Sequence, residues 1–89
     1  MERLHANGLR ALANERRLAI MSALGRGEHA VGELGRRIGL AQSAVSQHLA
    51  RLRGAGLVSR RRQGQTIYYR TDTRGLAAVI AGLNRLLRE

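Results

Sequence analysis

Apolar residues along this chain recur first at helical spacing, then briefly in alternation, then at helical spacing again. Leu4, Leu9 and Leu12 mark a first helix from about Arg3 to Ala13, with Gly8 as a weak point inside it. Asn14 is a good N-cap for a second helix, Glu15 to Leu24, where Glu15 suits the positive helix end and Gly25 and Gly27 close the segment. Val31 to Ile38 reads as a third helix ended by Gly39. In the fourth, Ala41 to Arg53, Val45, Leu49 and Leu52 recur at i, i+4 and i+7 and would bury one stripe. Gly54 and Gly56 stop it, and an apolar run restarts at Leu57 and Val58. Leu57 to Arg62 and Gln65 to Arg70 then alternate as two strands around Gln63-Gly64, the predicted hairpin tip. Ile67 and Tyr69 would share the core side of the second strand, Tyr68 and Arg70 the other. Asp72 caps a last helix, Thr73 to Arg88, whose stripe of Leu76, Val79, Ile80, Leu83 and Leu87 is too strong for a free surface helix. No proline, repeat or linker interrupts the pattern, which predicts one domain over residues 1–89, mainly α with a small β-hairpin (α+β).

Composition adds a constraint on stability. The chain has no Phe, Trp or Cys, so aliphatic residues and Met must fill the core, and Tyr68 and Tyr69 are the only aromatic rings. A domain of 89 residues built this way is marginal as a monomer. Burial between subunits would relieve that, so a dimer is expected before any function is considered. Gly75 and Gly82, seven residues apart and on nearly one helix face, would let two helices of a dimer approach closely. Absence of cysteine removes disulfides, thiolate metal sites and thiol redox switches together.

Charge narrows the choice of partner. Sixteen basic residues face six acidic ones, for a formal charge of +10, and every basic residue is arginine. A small domain this basic implies a polyanion, nucleic acid rather than an anionic membrane. No apolar run approaches the roughly 20 residues of a membrane span, and no charged-then-apolar leader opens the chain. A soluble, cytoplasmic protein is expected. Gln42, Ser43, Ser46, Gln47 and Arg53 populate the uncovered surface of the fourth helix, and short amide and hydroxyl groups can donate and accept at base edges in a major groove. By itself such a face could be merely solvated. Its context is more telling, because a glycine stop and a strand running into Arg60, Arg61 and Arg62 make a recognition helix followed by a basic β-wing. On an alternating strand those three arginines cannot all point one way, so at least one only adds to the field. No acid-base pair, activated nucleophile or phosphate-cradling glycine motif can be assembled, which argues against an enzyme. An RNA-binding or adaptor module is the rival from another class, but two adjacent tyrosines in one strand are poor provision for base stacking.

The segments LRALANERRLAIMSAL and VGELGRRIGLAQSAVSQHLARLRGAGLVSRRRQGQTIYYR, with the closing amphipathic helix, resemble the ArsR/SmtB transcriptional repressors of bacteria over nearly the whole chain. QSAVSQHL followed by QTIYY is most similar to the metal-independent, NolR-like members. The resemblance implies a winged helix-turn-helix of four helices, a two-stranded wing and a fifth, C-terminal helix. It implies a homodimer joined through Leu4, Leu9, Leu12, Leu76, Val79, Ile80, Leu83 and Leu87, binding an inverted-repeat operator in double-stranded DNA. Gln42, Ser43, Ser46 and Gln47 become base-edge readers, Gln42 foremost. Arg60, Arg61 and Arg62, with Gln63 and Gln65, become the wing. His48 holds the family's histidine position, with helix packing, phosphate contact and base readout all open. Arg17 matches an arginine that could form an ion pair or meet phosphate. Ala30 and Gly32 stand where metal-sensing members carry a cysteine pair. Of the last-helix metal ligands only Asp72 survives, the others being Arg74, Arg85 and Arg88. His5, His29 and His48 lie on separate elements, so no metal or other cofactor is expected. Ala41 stands where many relatives have a serine cap. Gating by an organic ligand or a partner protein stays open.

Overall fold

The structure, a computed structural model, describes residues 2–88, with side chains from Asn7 to Arg88. The side chains of Leu4 and His5 lie outside the described residues. In chain order the elements are α1 (Glu2–Leu12), α2 (Glu15–Leu24), β1 (His29–Ala30), α3 (Val31–Ile38), α4 (Gln42–Gly54), β2 (Val58–Gln63), β3 (Thr66–Thr71) and α5 (Thr73–Arg88). Local chemistry sets most of the helix starts. Asn14 Oδ1 accepts the Arg16 and Arg17 amides at 3.0 and 3.1 Å, opening α2. Asp72 Oδ1 accepts the Gly75 amide at 3.0 Å and opens α5. Ala30, the N-cap of α3, has no side-chain acceptor, but the Glu33 carboxylate accepts the Ala30 amide at 3.0 Å, giving the reciprocal half of a capping box. Ala41 is the N-cap of α4, extended at φ −63° and ψ 148°, and makes no side-chain cap.

β2 and β3 form the expected two-stranded wing, and a short strand not foreseen in the sequence, β1, joins them in one sheet. Its order is β1-β3-β2, antiparallel throughout, with His29 opposite Tyr69 and Ala30 opposite Tyr68. A two-residue strand has too little length for alternation to show in sequence. Between β2 and β3, Val58 pairs with Thr71 and Gln63 with Thr66. The tip is therefore Gly64-Gln65, one residue later than the expected Gln63-Gly64. Gly64 has φ +63° and no described non-glycine residue has positive φ. A glycine at the first central position followed by a residue of negative φ fits a type II′ turn, whose twist matches that of the flanking strands. Tyr69 is buried and Ile67 packs against the core, as the alternation predicts.

Ile20, Leu24, Leu34, Val45, Leu49, Leu52, Leu57 and Val58 gather α2, α3, α4 and the base of the wing around one core, closed by Val79 of α5. Two glycines let α5 approach. A Cβ at Gly8 would collide with the Val79 side chain, so the expected weak point of α1 is where α5 presses closest. A Cβ at Gly75 would fall on the Gly56 carbonyl oxygen. That glycine seats α5 on the α4–β2 turn within one chain. Gly82 is buried on the same helix.

The long stripe of α5 is accordingly divided. Val79 is 4% exposed and belongs to the chain's own core, while Leu9, Leu12 and Leu76 pack against that core. Ile80, Leu83, Leu86 and Leu87 remain 50, 40, 63 and 76% exposed. Leu86 was not part of the stripe read from the sequence. No helix among the described residues is long and apolar enough to cross a membrane.

Candidate nucleic-acid interface

Burying Val45, Leu49 and Leu52 rotates the rest of α4 outward, so that Gln42, Ser43, Ser46, Gln47 and Arg53 are all exposed. Ser43, Gln47 and Arg51 follow one another at intervals of four and line up on that surface. Arg51 was missed in the sequence, although its spacing from Gln47 could have found it. Gln42 stands on the flank nearest α3. A Cβ at Gly32 would come within 2.7 Å of Gln42 Nε2, so the glutamine amide lies over α3 in this structure. Arg53 is on the opposite end of α4, beside the Gly56–Gly75 junction, where with Ala78 and Val79 it lines a cleft of about 180 Å³.

His48 turns toward the body of the protein. It is half-buried, and its Nδ1 lies 3.4 Å from Arg17 Nη1, while Arg17 Nε donates to the Ala11 carbonyl. Burial lowers the His48 pKa from its ordinary value, and the positive charges of Arg17, Arg16 and Arg51 lower it further. The neutral ring can accept from Arg17 at Nδ1. Arg17 thus ties the end of α1 to the inner side of α4, and among the described residues it makes no ion pair.

Pairing in the sheet sorts the wing arginines. Arg60 and Arg62 face the side of Tyr69 and Ile67, whereas Arg61 faces that of Tyr68. Arg60 Nη1 is 3.5 Å from the Tyr69 hydroxyl, a long contact. Arg61 is bound on several sides at once: Nε and Nη2 donate to the Glu28 carboxylate at 2.8–3.1 Å, Nη1 donates to Gln63 Oε1 at 2.8 Å, and the guanidinium carbon lies 4.9 Å from the Tyr68 ring centre. The hydrogen bonds from Arg61 hold the Glu28 carboxyl below its ordinary pKa, and the same bonds raise that of Arg61. Arg62 is exposed at the wing's outer end with Gln63 and Gln65, and among the described residues it has no hydrogen-bond partner. Among those residues no three His, Cys, Asp or Glu side chains gather where a metal could be held. His29 and His48 stand apart, His29 beside Glu33 with 4.0 Å between Nδ1 and the carboxylate oxygen.

A helix-turn-helix whose second helix turns a polar face outward, followed by an arginine-bearing hairpin, defines a winged helix-turn-helix transcriptional regulator, a DNA-binding protein and not an enzyme. Residues 14–60 match the family described as "Bacterial regulatory protein, arsR family", and the chain belongs to that family. It is 46% identical over 79 residues to the nodulation protein NolR of Rhizobium meliloti, a match covering 89% of this chain and 65% of that one. The transcriptional activator HlyU of Vibrio cholerae is 50% identical over 78 residues, covering 88% and 72%. A structure of HlyU superposes with a TM-score of 0.79 at 44% identity, over 99% of this chain and 96% of that one. The homodimeric winged helix-turn-helix DNA-binding domain of Mb0332 from Mycobacterium bovis also superposes with a TM-score of 0.79, at 35% identity over 97% and 80% of the two chains. This chain spans about two thirds of the length of NolR.

Proposed function

We propose that this chain is a cytoplasmic, nucleoid-associated repressor that binds an inverted-repeat operator as a homodimer, without a metal or thiol sensor. One observation carries the reading: the same small domain leaves two faces uncovered, a polar one on α4 and an apolar one on α5. Pairing two copies through Ile80, Leu83, Leu86 and Leu87 would present two α4 helices to successive major grooves on one side of a duplex, about 10 bp apart. The description of Mb0332 as homodimeric supports this assembly. Ser43, Ser46, Gln47 and, once swung off α3, Gln42 address base edges. Arg51, Arg53, Arg60 and Arg62, with Gln63 and Gln65 at the wing's end, address the backbone. A domain whose uncovered chemistry is taken up by DNA and by its own copy acts most directly by occluding a promoter.

Selection of binding sites from a random duplex pool, followed by competition titrations, tests the reading. The selected sites should be palindromic. Gln42→Ala should relax preference at one position in each half-site, costing about 1–3 kcal/mol for each bidentate pairing with a base that it removes. Arg62→Ala should weaken selected and random DNA alike and shallow the salt dependence by about 0.9 for each phosphate no longer neutralised. Selection of asymmetric single sites, or equal weakening on all sequences by Gln42→Ala, would refute it.

A further inference from the structure

Arg61 belongs to the edge strand β2, and Glu28 lies one residue before the opposite edge, β1. The arginine side chain therefore crosses the width of the sheet, passing over Tyr68 of β3, to reach a carboxylate 33 residues away in sequence. We infer that Glu28 and Arg61 form a strap fixing the wing's inclination to the body, so that Arg61 is a positioning residue and Arg60 and Arg62 make the wing's contact with DNA.

Three features support the strap. The pairing is side-on and bidentate, the planar arrangement that a phosphate would otherwise take up. Gln63 and the Tyr68 ring hold the remaining edge and one face of the guanidinium, so its orientation is determined from several directions. Transferring Arg61 to a phosphate would also strand the Glu28 charge beside a polyanion. While the pair is made, that carboxylate is neutralised and the duplex has nothing to repel. Arg62, on the opposite face of the strand, is free for the phosphate. Exposed ion pairs are generally weak, but this one braces a two-stranded projection that has few other attachments at its end.

The inference rests in part on the DNA-binding reading, and the experiment separates the two. Hydrogen exchange of backbone amides in the DNA-free protein should show faster exchange across Arg60 to Tyr68 in Glu28→Gln and in Arg61→Lys, whose single ammonium cannot fork, with the helices unchanged. An unchanged wing overturns the strap, whatever the protein binds. In DNA titrations Arg61→Ala should keep the full salt slope that Arg62→Ala shallows. Because removing a carboxylate strengthens attraction to any duplex, the informative quantity is the ratio of selected to random affinity. That ratio should fall about fivefold in Glu28→Gln and in Arg61→Ala, and no further in the double variant. A salt slope shallower by about 0.9 in Arg61→Ala, together with a higher ratio in Glu28→Gln, would show that Arg61 leaves Glu28 for phosphate and overturn its assignment. Absence of sequence preference in the unaltered protein would instead refute the DNA-binding reading and leave the exchange result to decide the strap.

Discussion

α4 and α5 each bury one side and leave the other uncovered, but with opposite chemistry. The inner stripe of α4 is bulky and its outer side carries hydroxyls, amides and arginines. α5 presents glycine and valine inward at Gly75, Val79 and Gly82, and leaves isoleucine and leucines outside. Hydroxyls and amides keep water as an exchangeable partner that a base edge can replace. Leucines gain only by leaving water altogether. Exposure thus marks two surfaces, and under the proposed reading side-chain type assigns the polar one to nucleic acid and the apolar one to a second copy.

Giving α5 the chemistry of α4 should have the largest effect. Leu83→Glu would put one unpaired carboxylate per subunit into a dimer interface, at about 3 kcal/mol or more, which is over a hundredfold in dissociation. Light scattering should show a monomer at micromolar concentration, with palindrome binding lost and a lower melting temperature, because the stabilisation that association adds to the fold is gone. A dimer that survives would mean that subunits meet elsewhere. Gly75→Ala should come next. Alanine normally improves a helix by about 1 kcal/mol over glycine, but here the added carbon meets the Gly56 carbonyl, so a net loss of about 2 kcal/mol is expected. Gly54→Ala is the control, since a Cβ there meets nothing within 4 Å and should raise the melting temperature or leave it unchanged.

Changes on the α4 side should have smaller effects. Ala41→Ser supplies a hydroxyl at an N-cap that has none and should stabilise the fold by about 1 kcal/mol, seen as a higher melting temperature with the dimer intact. The smallest concerns protonation of His48. Its pKa is lower in the fold than the ordinary 6.5, so the unfolded chain takes up a proton first as pH falls. The stabilisation is complete above about 6.5 and declines as pH drops below it. Denaturation across that range should show a shallower acid loss in His48→Gln than in the unaltered protein, and parallel curves would mean that His48 has no part in the acid response.

What could be read from sequence was chiefly local. Asn14 and Asp72 cap the helices that follow them, and the stripe of α4 is periodic within a single element. Features that depend on distant segments were hidden. β1 exists because β3 offers it an edge, and two residues carry no period. Gly8 and Gly75 resemble helix defects until the segment packed against each is known. The hairpin tip was misplaced by one residue because a glycine suits either central position of a tight turn, and only the pairing of Gln63 with Thr66 chooses. The α4 surface was legible as a polar face, but the covering of Gln42 by α3 and the Glu28–Arg61 pair required contacts that no spacing rule contains.

The separation of inner and outer residues on α4 has a consequence for how such a regulator changes over generations. Val45, Leu49 and Leu52 hold the helix in place, whereas Ser43, Ser46, Gln47 and Arg51 lie outside that packing. Under the proposed reading, substitution at the outer positions alters which DNA is addressed at little cost to folding. One scaffold would then acquire new addresses by drift at a handful of surface codons, with the apolar face of α5 left as it is.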